Sequence, residues 1–333
     1  MAGDLWERGT MYSDCPEVTV LMATCNGEKF VAKQIDSILN QSYGKVALII
    51  SDDASNDGTL EILKGYAKRY ENITLCQNET NLGYVKNFEA LLERADTPYM
   101  AFSDQDDIWV ENKLEIQMSE MRKAEAAYGK IPILVHSDLR MVDEKGVCLY
   151  PSYFRYRGYR LKKGKDLGHI LGPCGVMGNT VLFNSVLKEK ALPFPKGLEH
   201  HDYWIALVNE LFGKRVTLQA PLVEYVIHEG NSSNSSGSLK HSTAPVETMR
   251  RLFGGELKPP YVTSRRYEVL AYLLENYRIT DKEKGRIETF MGYLRHEQTK
   301  IAMAWSLIRY SLLKRDWRYR MKTVARILFG RWA

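Results

Sequence analysis

Three carboxylates follow a short apolar run in the segment from Tyr99 to Trp109. Asp104, Asp106 and Asp107 are separated by at most one residue, so they would repel one another and raise each other's pKa. A cation among them makes the arrangement favourable, and hard carboxylate oxygens suit magnesium or manganese. Taken alone, an acidic pair after a strand is more often a solvated turn or a helix cap. Whether these carboxylates bind a cation must therefore be judged from other parts of the chain.

Composition limits the class of protein. The chain has 333 residues, 44% of them hydrophobic, and a net charge of +5, which by itself does not imply a nucleic-acid partner. Five scattered cysteines without C-x-x-C spacing argue against a disulfide framework and a zinc site, and favour a reducing cytoplasm. No apolar stretch has the length of a signal peptide core or a membrane span, so we expect neither conventional secretion nor an integral membrane protein.

From Glu17 onward the hydrophobic pattern alternates between strands and helices. Repeated units of this kind predict an α/β fold with a mainly parallel, Rossmann-like sheet flanked by helices. The predicted strands are Val18 to Ala23, Val46 to Ile50, Ile73 to Cys76 and Pro98 to Phe102, and the predicted helices are Glu28 to Gln41, a helix from Thr59, Tyr84 to Arg94 and Val110 to Ala127.

Polar residues follow three of these strands at their carboxyl ends, where ligands bind in parallel sheets. They are Thr24, Asn26 and Gly27 after the first strand, Asp52 and Asp53 after the second, and Asp104 and Asp106 after the fourth. Each group alone could be a turn or a cap. All three at one edge of one sheet predict a binding site. Asp107, just ahead of the next predicted helix, is expected only to cap that helix.

Beyond Ile131 the alternation weakens. A strand from Ile133 to His136 ends at Asp138, and a hairpin turn is predicted at Val142 to Val147. Glycines 172, 175 and 178 do not form a G-x-G-x-x-G fingerprint, so a dinucleotide site is excluded on that point.

The next polar cluster, His200 to Trp204, opens an apolar helix and could be only its cap. Strands are then predicted at Val216 to Leu218 and at Val223 to Ile227. The run Asn231 to Ser238 after them has the composition of a mobile loop.

Beyond Pro245 the pattern is helical, and its end is strongly basic. From Lys300 onward Asp316 is the single acidic residue, and apolar side chains are interleaved with the basic ones Arg309, Lys314, Arg315, Arg318, Arg320, Lys322, Arg326 and Arg331. This pattern is typical of amphipathic helices on an anionic membrane surface. A helix docked on the main domain with a solvated basic face is an equal alternative, and nucleic acid ranks third.

Four ordered segments together resemble the motifs of family 2 glycosyltransferases with the GT-A fold, over roughly the first two-thirds of the chain. They are Val20 to Gly27, Ser51 to Thr59, Asn81-Leu82-Gly83 and Asp104 to Asp107. Within the family, Phe102 to Trp109, His136-Ser137-Asp138 and His228 to Asn231 are most similar to bacterial rhamnosyltransferase-type enzymes of surface-polysaccharide assembly.

The resemblance implies inverting transfer of a sugar, with rhamnose one candidate, from a nucleotide diphosphate donor to a saccharide or lipid-linked saccharide acceptor, assisted by Mn²⁺ or Mg²⁺. The residues implied to bind the donor are Thr24, Asn26, Asp52, Asp53, Asn81, Lys86, Asp104, Gln105 and Asp106. Asp106 and His228 would hold the metal, and Asp202 would be the catalytic base. Acceptor contacts are assigned to Asp138, Gly178, His201 and Trp204.

Two departures from the family pattern bear on these roles. The commoner Glu-Asp pair at the base position is His201-Asp202 here. Lys86 stands close behind the Asn-Leu-Gly segment, where many members have a longer spacing and an arginine.

These observations predict a flexible tail over residues 1–16, a GT-A domain over 17–240 and a helical region with a basic end over 241–333. Within the GT-A domain, the nucleotide-binding half covers about 17–130 and the acceptor half about 131–240. We expect a cytoplasmic protein, peripheral on the inner face of the cell membrane, without a nucleic-acid partner. The alternatives are a transferase using another donor such as a UDP-hexose, a glycosidase with paired carboxylates, a receiver-like module and a membrane-bound non-catalytic module.

Overall fold

The computed structural model describes residues 17–159, 161–162, 164–231, 264–295 and 299–310. Three sequence predictions lie outside these residues: the tail over 1–16, most of the loop after Asn231, and the basic sequence after Tyr310.

The first half of the described chain consists of βα units. Its elements are β1 (Val18–Thr24), α1 (Val31–Leu39), β2 (Val46–Asp52), α2 (Thr59–Arg69), β3 (Ile73–Gln77), α3 (Tyr84–Arg94), β4 (Tyr99–Ser103), β5 (Asp107–Trp109) and α4 (Lys113–Tyr128). Strands β3, β2, β1 and β4 lie side by side in this order and are parallel, as their apolar runs predict.

The second half completes the sheet. Its elements are β6 (Ile133–Asp143), β7 (Cys148–Tyr150), α5 (Tyr153–Arg157), α6 (Leu167–Leu171), β8 (Val181–Asn184), α7 (Ser185–Ala191), α8 (His201–Phe212) and β9 (Lys214–Ile227), followed by α9 (Ser264–Asn276), α10 (Asp281–Leu294) and α11 (Lys300–Arg309). The strand order continues from β4 through β8, β6 and β9 to β5, and β7 pairs with β6 as the predicted hairpin. Here antiparallel pairs (β4 with β8, β8 with β6, β9 with β5) accompany the parallel pair β6 and β9.

Two predictions about local structure are wrong. The separate strands at Val216 to Leu218 and Val223 to Ile227 are one strand, β9, because pairing with β6 continues past Pro221 through irregularities in register beside Asp138. Asp107 does not cap a helix: it begins β5 and pairs with Tyr225 of β9, whereas α4 starts only at Lys113.

Helices on both faces of the sheet bury two apolar cores. One core lies under α1 and α4, with Ile35, Leu48 and Met118 fully or almost fully buried. The other core surrounds α8, which is buried along nearly its whole length, and the C-terminal helices pack against it through residues such as Phe290 and Tyr310. The predicted α/β architecture with C-terminal helices is confirmed. No helix in the described ranges is long and apolar enough to cross a membrane.

Candidate active site

Parallel pairing brings the polar strand ends together at one edge of the sheet. Thr24 at the end of β1 is in register with Asp52 at the end of β2, and β4 lies on the other side of β1. The Thr24 hydroxyl donates to Asp52 Oδ1 over 3.0 Å, and Ser55 donates to the same carboxylate through its backbone N–H and its hydroxyl. The edge therefore carries residues from three strand ends, as the sequence pattern predicts.

The loop after β1 is held by three different side chains. The backbone N–H groups of Cys25, Asn26 and Gly27 donate to Gln105 Oε1 (2.8 Å), Ser55 Oγ (2.9 Å) and Thr59 Oγ1 (2.8 Å), respectively. Asn26 has a φ of 52°, in the left-handed region that asparagine enters more readily than most residues with a side chain. The Cys25–Gly27 loop is thus a fixed platform.

Asp53 organises the turn between β3 and α3. Its Oδ1 accepts from the Leu82 N–H (2.8 Å) and the Asn78 amide (2.9 Å), and its Oδ2 accepts from the Gly83 N–H (2.9 Å). Asn81 donates to the Asp53 carbonyl over 3.1 Å. Both oxygens of this buried carboxylate have protein partners, so the contribution of Asp53 to this edge is largely structural. Lys86 is paired with Glu89 at 2.5 Å, one turn along α3.

Asp106 meets His228 across 122 residues of sequence. Phe30 stacks on the imidazole with ring centroids 4.2 Å apart, and the Gly230 backbone nitrogen lies 3.2 Å from Nδ1. On the other side of the ring, Nε2 lies 3.0 Å from Asp106 Oδ2. Asn231 lies beside both groups. The sequence paired Asp106 with His228 but assigned no role in the site to Phe30, which it placed in a predicted helix, or to Asn231, which it placed in a family-like segment.

The Asp106 and His228 pair fits a small divalent cation. A carboxylate oxygen, Asp106 Oδ2, and an imidazole nitrogen, His228 Nε2, lie 3.0 Å apart, so both could reach one cation. The described residues contain no cluster of three or more His, Cys, Asp or Glu side chains arranged around a metal position. Magnesium is commonly held by one or two carboxylates together with substrate phosphates, so two protein ligands suffice.

Asp104 links this pair to Asp202. Burial, and then the negative charges of Asp106 and Asp202, raise the pKa of Asp104 to about 7. Asp202 itself lies in the first turn of α8, where the helix dipole favours a negative charge. Its Oδ2 accepts from the Gly178 N–H (3.2 Å) and its Oδ1 from the Tyr203 N–H (2.7 Å). Asp104 therefore lies within electrostatic reach of both Asp106 and Asp202.

The structure corrects two of the predicted acceptor contacts. Trp204 is fully buried, and its indole N–H donates to the Ala191 carbonyl over 2.8 Å, because α8 turns that side chain into the core. Asp138 is buried too, and its Oδ1 accepts from the backbone N–H groups of Leu139 and Phe154 while its Oδ2 accepts from Ser152. Asp138 thereby fixes the start of α5 through Ser152 and Phe154.

His201 and Gly178 lie beside Asp202. The imidazole is 5% exposed and stacks on Phe88 with ring centroids 3.9 Å apart, and within the described chain neither ring nitrogen has a hydrogen-bond partner. Burial lowers the pKa of His201 to about 4, so the ring is neutral at pH 7. Gly178 approaches closely enough that a Cβ there would lie 2.9 Å from His201 Nε2.

Sequence reasoning missed a bridge across the site. The Tyr84 hydroxyl, at the start of α3, lies 2.9 Å from Nδ1 of His200, the residue preceding α8, and also donates to the Glu199 carbonyl. Burial raises the pKa of Tyr84, and the charges of Asp202, Glu199 and Asp104 raise it further. Its ring is 47% exposed, so Tyr84 lies at the mouth of the site.

Comparison with known proteins gives a consistent family match. Residues 19–187 match the family model described as Glycosyl transferase family 2. The chain is 42% identical to EpsE of Bacillus subtilis over 109 residues, which are 32% of this chain and 39% of EpsE. It is 38% identical to the dTDP-rhamnosyl transferase RfbG of Shigella flexneri over 136 residues, 39% of this chain and 43% of RfbG.

A longer match is to WfgD of Escherichia coli, a UDP-Glc:alpha-D-GlcNAc-diphosphoundecaprenol beta-1,3-glucosyltransferase. The two are 28% identical over 199 residues, which are 58% of this chain and 70% of WfgD. The chain thus spans less than half the length of EpsE and RfbG.

Two solved structures share the fold. Residues 1–349 of S. aureus TarS in complex with UDP-GlcNAc align with a TM-score of 0.55 at 16% identity, covering 89% of this chain and 79% of that one. The mannosyltransferase PcManGT of Pyrobaculum calidifontis, in complex with GDP-Man and Mn²⁺, aligns with a TM-score of 0.52 at 16% identity, covering 98% and 82%. At these identities the likeness shows the fold alone.

Proposed function

The chain belongs to glycosyl transferase family 2 and has the GT-A fold, and from this premise we propose that it is an inverting, metal-dependent glycosyltransferase of polysaccharide synthesis. Its donor would be a nucleotide diphosphate sugar, and its acceptor a saccharide or a lipid-linked saccharide. The observation that carries the proposal is that Asp104 lies within electrostatic reach of both Asp202 and Asp106, and that Asp106 contacts His228.

The names of relatives support two donor candidates. RfbG is a dTDP-rhamnosyl transferase, and WfgD uses UDP-Glc with a diphosphoundecaprenol-linked acceptor. We therefore propose rhamnose as the first candidate sugar and a UDP-hexose as the second.

The nucleoside would bind at the ends of β1 to β3. Thr24, Asn26, Asp52, Asp53 and Asn81 shape this edge. An open groove of about 430 Å³, lined by Ala54, Ser55, Gln77, Asn78 and Glu79, adjoins it and is large enough for a base. Asp104 would contact the ribose. Lys86 would need to leave Glu89 to reach the diphosphate.

A divalent cation would be held by Asp106 Oδ2 and His228 Nε2 and would stabilise the negative charge of the departing diphosphate. The stacked ring of Phe30 keeps the imidazole in the plane that faces Asp106. Close carboxylates that repel one another, as Asp104 and Asp106 do, favour cation binding at this point.

Asp202 would act as the base. The N–H groups of Gly178 and Tyr203 fix the carboxylate at the start of α8, and each oxygen keeps a lone pair for an acceptor hydroxyl. Removal of that proton as the hydroxyl attacks the anomeric carbon, opposite the leaving diphosphate, inverts the configuration.

Calorimetric titration tests this function against the glycosidase alternative. Uridine, guanosine and deoxythymidine diphosphates would each be titrated into the protein with and without Mn²⁺. We expect one of them to bind with an affinity that depends on Mn²⁺. Paired carboxylates of a glycosidase need neither nucleotide nor metal. Hydrolysis of simple glycosides without nucleotide binding would therefore contradict the proposal.

We further propose that the C-terminal helices place the enzyme on the inner, anionic face of the cell membrane. Ile301, Trp305 and Ile308 form a stripe on α11 and are 65%, 67% and 57% exposed. The opposite side of the same segment is anchored, since Tyr310 is buried and donates to the Arg286 carbonyl over 2.7 Å. The alternative prediction, a helix docked on the main domain, therefore accounts for one face of α11 only. The other face carries the exposed apolar stripe.

The sequence after this stripe is positively charged, which complements the negative charge of an anionic membrane surface. Its basic residues outnumber the single acidic residue Asp316, and apolar stripes with tryptophan beside basic segments suit anionic lipid surfaces.

Vesicle sedimentation tests the membrane proposal. Replacing Ile301, Trp305 and Ile308 with serine should reduce binding to vesicles of phosphatidylglycerol and phosphatidylcholine in equal parts. A matched control replaces Val147 and Leu149, which are 58% and 45% exposed on the β6 and β7 hairpin. Equal binding of both variants, or equal binding of the parent to pure phosphatidylcholine, would contradict the proposal.

A further inference from the structure

Gln105 stands between the two carboxylates of the Asp104 to Asp106 segment, but its side chain is bound to another loop. Its Oε1 accepts from the Cys25 N–H over 2.8 Å, and its Nε2 donates to the Cys25 carbonyl over 3.0 Å. The side-chain amide thus pairs with both backbone groups of one residue, as a neighbouring strand would. The sequence assigned Gln105 to donor binding, whereas the structure uses its amide within the protein.

Gly27 makes room for this contact. A Cβ built on Gly27 would overlap the Gln105 side-chain amide, with Nε2 at 3.1 Å and the other amide atoms closer still. Gly27 is not among the glycines with positive φ, so space and not backbone conformation requires glycine here. The Gln105 amide can therefore occupy its position only because residue 27 has no side chain.

The contact joins the two parts of the proposed donor site. On one side is the Cys25–Gly27 loop, whose other N–H groups are held by Ser55 and Thr59. On the other side is Asp106, the residue directly after Gln105, with its partner His228. Gln105 thus links the Cys25–Gly27 loop directly to the Asp106 and His228 pair.

We propose that Gln105 is a positioning residue that sets the spacing between the Cys25–Gly27 loop and Asp106, so that nucleoside and cation bind cooperatively. The proposal rests on the proposed function, because it concerns the same donor site. A nucleoside diphosphate that spans both parts binds best when both are already at the right separation. Without the link, each part still exists, but binding of one ligand no longer prepares the site for the other.

The measurement is the coupling factor, defined as the ratio of nucleoside diphosphate affinities with and without Mn²⁺. It is determined by calorimetry with the diphosphate that the parent protein binds best. Gln105→Ala removes the two hydrogen bonds between the Gln105 side-chain amide and the Cys25 backbone, and this loss should lower the coupling factor by about tenfold or more.

A matched control is Gln41→Ala. Gln41 also bridges two segments through its amide, donating to the Val110 carbonyl (2.8 Å) and accepting from the Leu114 N–H (3.0 Å). These bonds join the turn after α1 to the start of α4, and none of the three residues belongs to the proposed donor site. Gln41→Ala should lower the melting temperature and leave the coupling factor unchanged, which separates positioning from a general loss of stability.

Gly27→Ala provides a second, independent approach to the same contact. Its methyl group would displace the Gln105 amide, so this variant should lower the coupling factor as Gln105→Ala does. In a Gln105→Ala background the overlapping amide is absent, and the same change should add less than a twofold effect. If Gln105→Ala does not fold, the positioning role is tested by comparing the coupling factors of Gly27→Ala and Gln41→Ala.

The outcomes separate this inference from the function on which it rests. If the parent binds nucleoside diphosphate in a Mn²⁺-dependent manner and neither Gln105→Ala nor Gly27→Ala changes the coupling factor, the positioning role is overturned and the function stands. If the parent shows no Mn²⁺-dependent binding of any of the three diphosphates, the proposed function fails and this inference fails with it.

Discussion

Replacing Asp202 with asparagine removes the proposed base and nearly preserves the shape of the side chain. The carboxylate accepts one N–H from Gly178 (3.2 Å) and one from Tyr203 (2.7 Å). An asparagine can accept only one of these through its carbonyl oxygen and turns an amide N–H group toward the other. Donor-site residues Asp104 and Asp106 keep their positions, because they lie on the loop after β4.

The expected effects on stability and on turnover differ in size. Losing one backbone hydrogen bond should lower the free energy of unfolding by about 0.5–1.5 kcal/mol, and losing the charge at the start of α8 by about 0.3–1 kcal/mol more. Loss of a general base lowers turnover by about 10²–10⁴-fold, equivalent to about 2.7–5.4 kcal/mol in the activation barrier.

Two measurements on the same variant check this. Calorimetry with Mn²⁺ and nucleoside diphosphate should give an affinity within about threefold of the parent, and transfer from the matching nucleotide sugar should be slower by the factor above. The control is Glu199→Gln, a second carboxylate near the site that also raises the pKa of Tyr84. Transfer at the parent rate by Asp202→Asn would refute the assignment, and a selective loss in Glu199→Gln would move the base there.

Further predictions concern the metal pair, a backbone position and the buried histidines. Asp106→Ala should abolish Mn²⁺-dependent nucleotide binding in calorimetry, and donor affinity unchanged by this substitution or by a chelator would exclude the metal proposal. Gly83→Ala, at φ 80° and ψ 149°, should lower the free energy of unfolding in urea by about 1–3 kcal/mol. Gly65→Ala, in open space on α2, should raise that free energy by about 0.5–1 kcal/mol, and similar effects of the two changes would contradict the backbone argument. Burial lowers the pKa of three histidines to about 3 or 4, so the unfolded chain takes up protons first as the pH falls below about 6.5. Above that pH these histidines do not reduce the free energy of unfolding. By pH 5 each of them should lower it by about 2 kcal/mol. The three are His136, His169 and His201. Thermal melting should therefore show a shallower pH dependence in His136→Asn than in the parent, and an unchanged slope would count against this cause.

The local pattern of the chain predicted the first four strands with small errors at their ends. Strand β1 runs to Thr24 instead of Ala23, and β4 runs from Tyr99 to Ser103 instead of Pro98 to Phe102. Apolar runs of this length are set by short-range preferences and by burial on both faces, which sequence records directly.

Predictions failed where pairing between distant segments decided the structure. Asp107 became the start of β5 because residues 107–109 find an edge partner in β9, more than 100 residues later. The same long-range pairing carried β9 past Pro221. Neither partner is visible in a local window of sequence.

For the candidate site, the sequence by itself determined which residue types stand at the strand ends and that carboxylates cluster there. Their chemistry follows from residue type and from the period of the strands, both of which are local properties. The resemblance to the family assigned roles to Asp106, His228 and Asp202, and these roles stay predictions.

Only the tertiary structure decided which polar groups remain open to a ligand. Gln105 and Asp53 are held by backbone partners from other loops, and Trp204 points into the core, whereas Asp106 faces His228. The physical reason is that most buried polar groups pair with a hydrogen-bond partner, and packing between segments far apart in the chain determines which partner is available. Residue type fixes what a side chain can bind, and the fold decides what it does bind.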